Sequence, residues 1–298
     1  AEGISQNIRN QRNDEIPHLF AYTQLLLSIN GLEGRYATQG TDSKFWAVWR
    51  EEDMAESEIY SIKNKRLSTE QKAAIFDCRH ENVQEWYEQL IQAGELAVTD
   101  QDRILISLLS HDRLMEFIRL FVLHDSKAGK IVARYQQVFG IKRLIERIIK
   151  KRPDGGRQGG VIWHTTGSGK SFTMVYLSKA LILNESLKQC RLIVVTDRTD
   201  LERQLSKTFS SGGELASKKD REAAMATSGR RLAEQIGRGN ERIIFSLIQK
   251  FNTAATLPEC RNSSSDIIVL IDEGHRSQGG ENNARMQQAL PNAAFVAF

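Results

Sequence analysis

The sequence has few cysteines and no long apolar run, and each of these features excludes a familiar class of protein. Its three cysteines, Cys78, Cys190 and Cys260, are too few and too scattered for a disulfide framework or a zinc site. The longest apolar runs, such as residues 267–271 (IIVLI) and 293–298 (AAFVAF), fall far below the roughly 18 residues that a membrane-spanning helix needs. These features favour a reducing, cytoplasmic setting.

An excess of charge of one sign is also missing. The 41 Lys and Arg residues face 37 Asp and Glu residues, and the net charge of +4 permits an anionic partner without requiring one. With 40% apolar and 26% charged residues, the composition is that of an ordinary globular chain. Basic residues cluster at 63–66 and within 142–152. Such clusters are more often solvated helix faces than nucleic-acid contacts, and both interpretations stay open.

The second half of the sequence alternates short apolar runs with helical stretches. A helix near 132–150 and the glycine-rich loop 153–160 precede this pattern. The predicted elements that follow are strands at 161–163, 192–195, 243–245 and 267–271 and helices near 170–183 and 199–209. Continuous β-branched runs separated by helices are typical of a parallel sheet covered on both faces. We therefore predict an α/β fold for this half.

The first half is predicted to be mostly helical over residues 68–124. Ser68 and Gln71 fit a capping box, and Gly94 fits a helix stop. Four apolar residues at helical spacing predict a buried stripe that belongs to the core: Leu114, Phe117, Ile118 and Phe121. Residues 19–29 indicate a helix that leads into a strand, and the polar residues 126–130 mark a domain boundary.

The most informative segment is residues 165–171 (TTGSGKS), between a predicted strand and a predicted helix. Glycines let the backbone curl so that its N–H groups point at phosphate oxygens, and the helix N-terminus adds partial positive charge. In this context Lys170 is expected to neutralise the β- and γ-phosphates, and Ser171 to hold Mg²⁺. The usual pattern has glycine where this sequence has His164. A glycine-rich turn with a chance lysine is disfavoured, because strand, loop and helix agree.

A pair of acidic residues, Asp272 and Glu273, follows the predicted strand 267–271. In a parallel sheet, ligands bind at the carboxyl ends of the strands. Asp272 is therefore expected beside a metal-bound triphosphate, with Glu273 as the general base for the attacking water. By itself, a strand that ends in two acids more often caps a turn. Combined with the phosphate loop, it predicts hydrolysis of a nucleoside triphosphate.

These motifs resemble the first RecA-like motor domain of superfamily-two helicases and translocases. Within that superfamily, three strings are similar to the restriction (motor) subunit of type I restriction–modification systems: residues 163–171 (WHTTGSGKS), 195–201 (VTDRTDL) and 272–278 (DEGHRSQ). His164 is tolerated at its position in that family. The resemblance implies a RecA-like P-loop fold with ATP and Mg²⁺ as cofactors.

The resemblance also implies roles for individual residues. Gln137 is expected to read adenine, because an amide can both donate to and accept from the base edge, and Gln136 is the less favoured candidate. The implied ATP contacts are Gln137, Thr166, Gly167, Ser168, Gly169, Lys170 and Ser171. The implied Mg²⁺ contacts are Ser171 and Asp272, and the implied catalytic residues are Glu273, Asp272 and Lys170. Contacts with the DNA backbone, or coupling to it, are implied for Thr196, Asp197, Arg198, Ser246 and His275.

Residues 1–125 resemble, more loosely, the α+β C-terminal portion of a PD-(D/E)xK-type nuclease domain with a helical linker. Residues 126–298 correspond to the first RecA-like domain. No Glu-x-Lys precedes Gln6, so we expect the metal-binding carboxylates of the nuclease upstream of this sequence. A second RecA-like lobe with an arginine finger is expected beyond it. Because such an arginine contributes about 10³–10⁵ in rate elsewhere, we expect this chain alone to hydrolyse ATP poorly.

The leading hypothesis is an ATP-dependent double-stranded-DNA translocase and endonuclease subunit of a type I restriction system. The partners that the resemblance implies are double-stranded DNA and the modification (methyltransferase) and specificity subunits, with no membrane. Two alternatives stay open. One is another superfamily-two DNA or RNA helicase, and the other is an ATP-binding switch whose acidic pair does no chemistry.

Overall fold

The computed structural model of the protein describes residues 2–125, 129–163, 169–197, 199, 206–207, 218–272 and 281–298. Two units are present, residues 1–119 and residues 120–298. The division falls within the last turn of a helix, a few residues before the boundary that the sequence predicted between residues 125 and 126.

The first unit combines a small antiparallel sheet with short helices. Its strands pair in the order β1 (Leu26–Ile29), β2 (Gly34–Ala37) and β3 (Ala47–Val48). Its helices are α1 (Glu2–Asn10), α2 (Pro17–Ala21), α3 (Glu56–Lys63), α4 (Thr69–Phe76), α5 (Glu81–Gln92), α6 (Asp100–Arg103) and α7 (His111–Phe121), with a π-helical turn at Ile104–Leu108. Residues 19–29 contain the end of α2 and then β1, which is the predicted passage from helix to strand.

Aromatic side chains make up much of the core of the first unit. The rings of Tyr36, Trp49 and Phe117 meet edge to face with centroids 5.7 to 6.1 Å apart, and all three side chains are fully buried. Each such pair contributes about 0.5–1.5 kcal/mol beyond the burial of its area. In the predicted apolar stripe, Phe117 and Phe121 are therefore core residues, and the other two residues are half-buried.

The predicted helix signals of the first unit are also observed. The hydroxyl of Ser68 accepts from the backbone N–H of Gln71, and the Gln71 side chain accepts in turn from the backbone of Ser68. This reciprocal pair satisfies two of the N–H groups that open α4. Helix α5 ends at Gln92, shortly before Gly94, which has a φ of 96°.

The second unit begins with a hairpin where the sequence predicted the end of a helical region and a linker. Strand β4 (Val122–Asp125) pairs antiparallel with β5 (Gly129–Val132). Val122 and Leu123 are buried, and they lie opposite the apolar residues of β5. The pairing and burial of these apolar residues therefore favour a strand, although the sequence just before them has a helical pattern.

A five-stranded parallel sheet forms the centre of the second unit. The order of its strands is β6 (Gly160–Val161), β10 (Ala294–Ala297), β9 (Ile267–Ile271), β7 (Arg191–Thr196) and β8 (Ile243–Leu247). All neighbouring strands in it are parallel, which confirms the predicted α/β class. Strand β9 is buried along its whole length, as a central strand covered on both faces must be.

The helices of the second unit connect these strands. They are α8 (Tyr135–Ile149), α9 (Lys170–Leu183), α10 (Lys218–Ala224), α11 (Gly229–Arg238), α12 (Lys250–Ala254) and α13 (Glu281–Ala289). The bounds of α9 are those that the sequence predicted. Most of the helix predicted at 199–209 lies outside the described residues. None of the described helices has the length and apolar character needed to cross a membrane.

The edge strand β6 approaches β10 closely because glycine precedes it. A Cβ atom on Gly159 would lie 2.0 Å from the backbone oxygen of Phe295, so no side chain fits there without a shift of the backbone. The N–H of Ile162 then donates to Ala297 O at 2.9 Å, which continues the pairing beyond the strand. This contact leads the chain from the glycine-rich loop towards the predicted phosphate loop.

Candidate functional site

Helix α9 begins at the end of the predicted phosphate loop. Gly169 precedes the helix with a φ of 90° and a ψ of 32°, a left-handed conformation in which a side chain would be strained. Lys170 and Ser171 occupy the first turn, where backbone N–H groups and the helix dipole attract anions. Thr166, Gly167 and Ser168, which were predicted to contact ATP, lie outside the described residues.

Asp272 directly follows β9 at the carboxyl edge of the sheet. Its backbone N–H donates to Val195 O at 2.9 Å, which fixes Asp272 beside the end of β7. Its side chain is 4% exposed, and its Oδ1 lies 2.8 Å from the ammonium nitrogen of Lys170. The structure therefore brings together two of the three residues predicted to be catalytic. Glu273, the third, and His275 lie outside the part of the chain that is described.

The contact between Lys170 and Asp272 decides the electrostatics of this site. A carboxylate with so little exposure is costly unless an opposite charge compensates it. Within the described part of the chain, Asp272 Oδ1 accepts no aligned hydrogen bond, so the contact is an ion pair. The lysine, which is 24% exposed, is nearer to solvent than its partner. A polyanion that arrives from solvent can therefore compete with Asp272 for the ammonium group.

The arrangement also fits a magnesium ion that is bound together with phosphates. Among the described residues, no group of three or more His, Cys, Asp or Glu side chains can hold a metal ion. Mg²⁺ typically takes one or two carboxylates and completes its shell with waters and substrate phosphates. The Asp272 carboxylate, whose Oδ1 accepts no aligned hydrogen bond from the described residues, and the hydroxyl of the half-buried Ser171 meet that requirement.

Gln137, the residue predicted to read adenine, lies against the end of the phosphate loop. Its Oε1 accepts from the backbone N–H of Arg134 at 2.8 Å. Its Nε2 donates to Thr173 Oγ1 at 2.7 Å and approaches Gly169 O at 3.5 Å. Gln136 is exposed, so of the two candidates it is Gln137 that the structure places at the site.

Three of the residues predicted to contact DNA or to couple to it, Thr196, Asp197 and Ser246, lie at the ends of β7 and β8. Thr196 and Ser246 are buried, and the hydroxyl of Ser246 donates to Leu247 O at 3.1 Å. Asp197 is half-buried, and its backbone oxygen accepts from Gln249 Nε2 at 3.2 Å. The hydroxyls of Thr196 and Ser246 are thus enclosed in this conformation, which does not offer them to a phosphate. Arg198 lies outside the described residues.

Thr173 belongs to this site and was not predicted. It is fully buried, and its Oγ1 lies 3.2 Å from Gly169 O, one turn earlier in the chain. The sequence could have suggested this bond, because a helical threonine often donates to the carbonyl four residues before it. It could not have suggested the bond with Gln137, which depends on how α8 packs against α9.

Comparison with known proteins finds relatives along nearly the whole chain. A protein of Methanocaldococcus jannaschii described as a type I restriction enzyme endonuclease subunit, MjaIXP, is 31% identical over 98% of this chain and 26% of its own length. The type I restriction enzyme HindI endonuclease subunit of Haemophilus influenzae is 30% identical over 96% of this chain and 25% of its own length. The chain therefore spans about a quarter of the length of these relatives. The resemblance to type I restriction subunits is confirmed.

Solved structures and protein families give a second comparison. The UvsW helicase from Bacteriophage T4 has a TM-score of 0.41 and 12% sequence identity over 92% of each chain, a likeness too weak to carry an argument. Residues 136–298, which include Gln137, Lys170 and Asp272, match the SWI2/SNF2 ATPase family. This match covers more than half of the chain, and the chain accordingly belongs to the SWI2/SNF2 ATPase family.

Proposed function

We propose that the chain supplies the ATP-binding motor lobe of a type I restriction endonuclease subunit that hydrolyses ATP to translocate double-stranded DNA. The observation that carries this proposal is the 2.8 Å contact between Lys170 and Asp272. It joins the lysine of a phosphate loop to the acid that follows a central strand. The family match and the names of the relatives support the same assignment.

The chemistry begins with an exchange of partners by Lys170. In the nucleotide-free chain its ammonium group pairs with Asp272. When ATP binds, the ammonium group turns to the β- and γ-phosphates, and the N–H groups at the start of α9 donate to phosphate oxygens. Ser171 and Asp272 are the residues that would hold Mg²⁺, which supplies neutralising charge at the γ-phosphate when bound. Glu273 accepts the proton of the attacking water.

The remaining parts of the proposal concern the whole protein. Residues 1–125 would belong to a nuclease domain, and Thr196, Asp197, Arg198, Ser246 and His275 to the DNA-facing side of the motor or its coupling to ATP. Because Thr196 and Ser246 are enclosed here, their contact with DNA requires a conformation in which the ends of β7 and β8 open. Modification and specificity subunits would be the partners. The chain alone would hydrolyse ATP slowly.

Titration with a fluorescent ATP analogue tests the binding step. We expect Lys170→Met to weaken binding by about tenfold or more, because a charged hydrogen-bonding group is lost from the phosphates. Lys188→Met is the matched control, since Lys188 is an exposed lysine beyond the end of α9. Equal affinities for Lys170→Met and the unaltered protein would show that the phosphate site lies elsewhere.

The turnover step needs a separate variant in the full-length protein. We expect Glu273→Gln to retain ATP binding and to lose DNA-stimulated hydrolysis. If turnover is unchanged, Glu273 is not the base and another group accepts the proton of the water. If the unaltered protein shows no DNA-stimulated hydrolysis, the ATP-binding switch is favoured instead. A strand-displacement assay separates the remaining alternative, because a translocase of this kind moves along duplex DNA without unwinding it, whereas a helicase separates the strands.

A further inference from the structure

A hydrogen-bond network holds the Gln137 side chain at both ends of its amide group. At one end, Oε1 accepts from the backbone N–H of Arg134, the residue that precedes α8. At the other, Nε2 donates to Thr173 Oγ1 at 2.7 Å. Thr173 is fully buried in α9, so the network joins the starts of two helices that are distant in sequence.

The proton positions in this network follow from chemistry. A backbone N–H can only donate, so the atom of the amide that faces Arg134 must be the oxygen. The backbone oxygen of Gly169 can only accept, so the Thr173 hydroxyl donates to it at 3.2 Å and accepts from Gln137 Nε2. If the amide were flipped, its amino group would face the backbone N–H of Arg134, which are two donors, and its oxygen would face the backbone oxygen of Gly169, which are two acceptors. Only one orientation of the amide satisfies every group.

This orientation determines what the amide can offer to a base. One N–H of Gln137 is taken by Thr173, and the other approaches Gly169 O only at 3.5 Å. Among the described residues the oxygen accepts one bond, which leaves its second lone pair for a further donor. An exocyclic amino group, as in adenine, can donate to that lone pair. A carbonyl at the same position, as in guanine, would place two acceptors together and leave both without a partner.

We propose that Thr173 is a specificity-determining positioning residue: its hydroxyl anchors the Gln137 amide so that the site prefers ATP to GTP. This inference rests on the proposed function, in which the site binds ATP and Gln137 faces the base. Thr173 acts through Gln137 and touches neither the base nor the phosphates. Removal of its hydroxyl leaves Nε2, among the described residues, with the long contact to Gly169, so that the bond from the backbone N–H of Arg134 alone holds the amide firmly and its amino end can move.

The test compares the affinities of three ligands, ATP, GTP and inorganic tripolyphosphate, in a small set of variants. Thr173→Val removes the hydroxyl and keeps the shape of the side chain, whereas Thr173→Ser keeps the hydroxyl. Ser178→Ala is the matched control, because Ser178 is also buried in α9 and donates to Met174 O, the carbonyl four residues before it, at 2.8 Å. Gln137→Ala shows how much of the preference passes through the amide.

We expect Thr173→Val to lower the preference for ATP over GTP by about three- to tenfold, the effect of one hydrogen bond. Tripolyphosphate affinity should stay unchanged, and Thr173→Ser and Ser178→Ala should keep the full preference. In the Gln137→Ala background, Thr173→Val should have no further effect on the preference. Thermal unfolding identifies any variant that fails to fold. If Thr173→Val does, Thr173→Ala, which also lacks the hydroxyl, replaces it and should lower the preference to a similar extent.

Several outcomes would overturn the inference. Thr173→Val could keep the preference that Gln137→Ala loses, or it could weaken all three ligands equally, which would mean that the hydroxyl serves the phosphate loop through Gly169. Equal binding of ATP and GTP by the unaltered protein would also overturn it, while the phosphate site remained. Failure of the unaltered protein to bind tripolyphosphate or ATP would instead contradict the proposed function itself.

Discussion

Lys170 and Asp272 form an ion pair across the carboxyl edge of the parallel sheet, with Nζ and Oδ1 2.8 Å apart. Because Asp272 is almost fully buried, each partner stabilises the other while no nucleotide is bound. The pair therefore couples stability to the nucleotide site. In the proposed function, ATP would release the lysine because its phosphates offer the ammonium group more charge than one carboxylate does.

The first prediction concerns this coupling in the absence of ATP and Mg²⁺. Lys170→Met should lower the free energy of unfolding by about 1–3 kcal/mol, less than for a fully buried pair because Lys170 is partly exposed. The double variant with Asp272→Asn should be more stable than Lys170→Met alone, since no buried charge is then left uncompensated. Urea unfolding measures both, and additive effects of the two changes would show that they do not interact.

A second prediction concerns the opposite edge of the sheet. Arg157 is buried, and its guanidinium donates to Ser265 O at 2.7 Å, to Ile148 O at 3.3 Å and to Asp266 Oδ1 at 2.8 Å. One guanidinium thus ties the loop before β6 to the start of β9 and the end of α8. Arg157→Met should lower the free energy of unfolding by about 2–4 kcal/mol, because it leaves two carbonyls and a carboxylate without their donor.

Arg157→Lys distinguishes geometry from charge at this position. A single ammonium group cannot reach three acceptors that the planar guanidinium serves from different nitrogens, so lysine should restore less than half of the loss. Lys188→Met is the control for loss of an exposed charge and should change stability by less than about 0.5 kcal/mol. Full rescue by lysine would mean that charge alone, and not the guanidinium fork, matters here.

A third prediction is the pH dependence of the first unit. Burial by itself raises the pKa of Asp102, but hydrogen bonds from Lys63 and Thr99 outweigh burial, and the net pKa is lowered. A lowered folded-state pKa contributes stability that is present above the unfolded value of about 4 and is lost as pH falls through the folded value. Denaturant unfolding should therefore show the unaltered protein losing more stability below about pH 4 than Asp102→Asn does.

The control for this prediction is Asp14→Asn, because Asp14 is exposed. Near pH 7, Lys63→Met should destabilise the first unit by about 1 kcal/mol, because Lys63 Nζ also donates to Ala97 O and its loss leaves Asp102 without its main charge partner. If the free energy of unfolding of Asp102→Asn and that of the unaltered protein fall equally from pH 7 to pH 3, the ion pair contributes no net stability.

The sequence was sufficient for elements whose signals are local. Strand 267–271 and helix 170–183 were predicted at their observed bounds. A continuous apolar, mostly β-branched run indicates the strand, and Gly169 followed by Lys170 indicates where the helix begins. The hairpin β4–β5 was missed, since its apolar residues directly follow a helix and only the pairing with residues 129–132 shows that they form a strand.

The same distinction applies to the candidate site. Lys170 and Asp272 could be predicted as neighbours, because parallel strands deliver their carboxyl ends to one edge. The bond from Gln137 to Thr173 and the burial of Ser246 depend on how helices and strands pack, which no local pattern specifies. The sequence thus predicts which residues gather at the sheet edge but not which hydrogen-bond partners they take.

The last prediction concerns the three cysteines. Cys78 is exposed, whereas Cys190 and Cys260 are buried. Burial raises the pKa of Cys260 to about 11 and also raises the pKa of Cys190. At pH 8 only about one thousandth of the Cys260 thiol is therefore ionised, and the thiolate is the form that reacts.

Native protein at pH 8 should accordingly take up one equivalent of iodoacetamide quickly, at Cys78, and two further equivalents only after urea is added. Peptide mass spectrometry locates the label, and Cys78→Ser, a change at an exposed position, should abolish the fast phase while leaving the slow one. Labelling of Cys260 in the native protein at the rate of Cys78 would mean that the sheet opens often enough to expose its core, because a closed sheet keeps this thiol both protonated and out of reach.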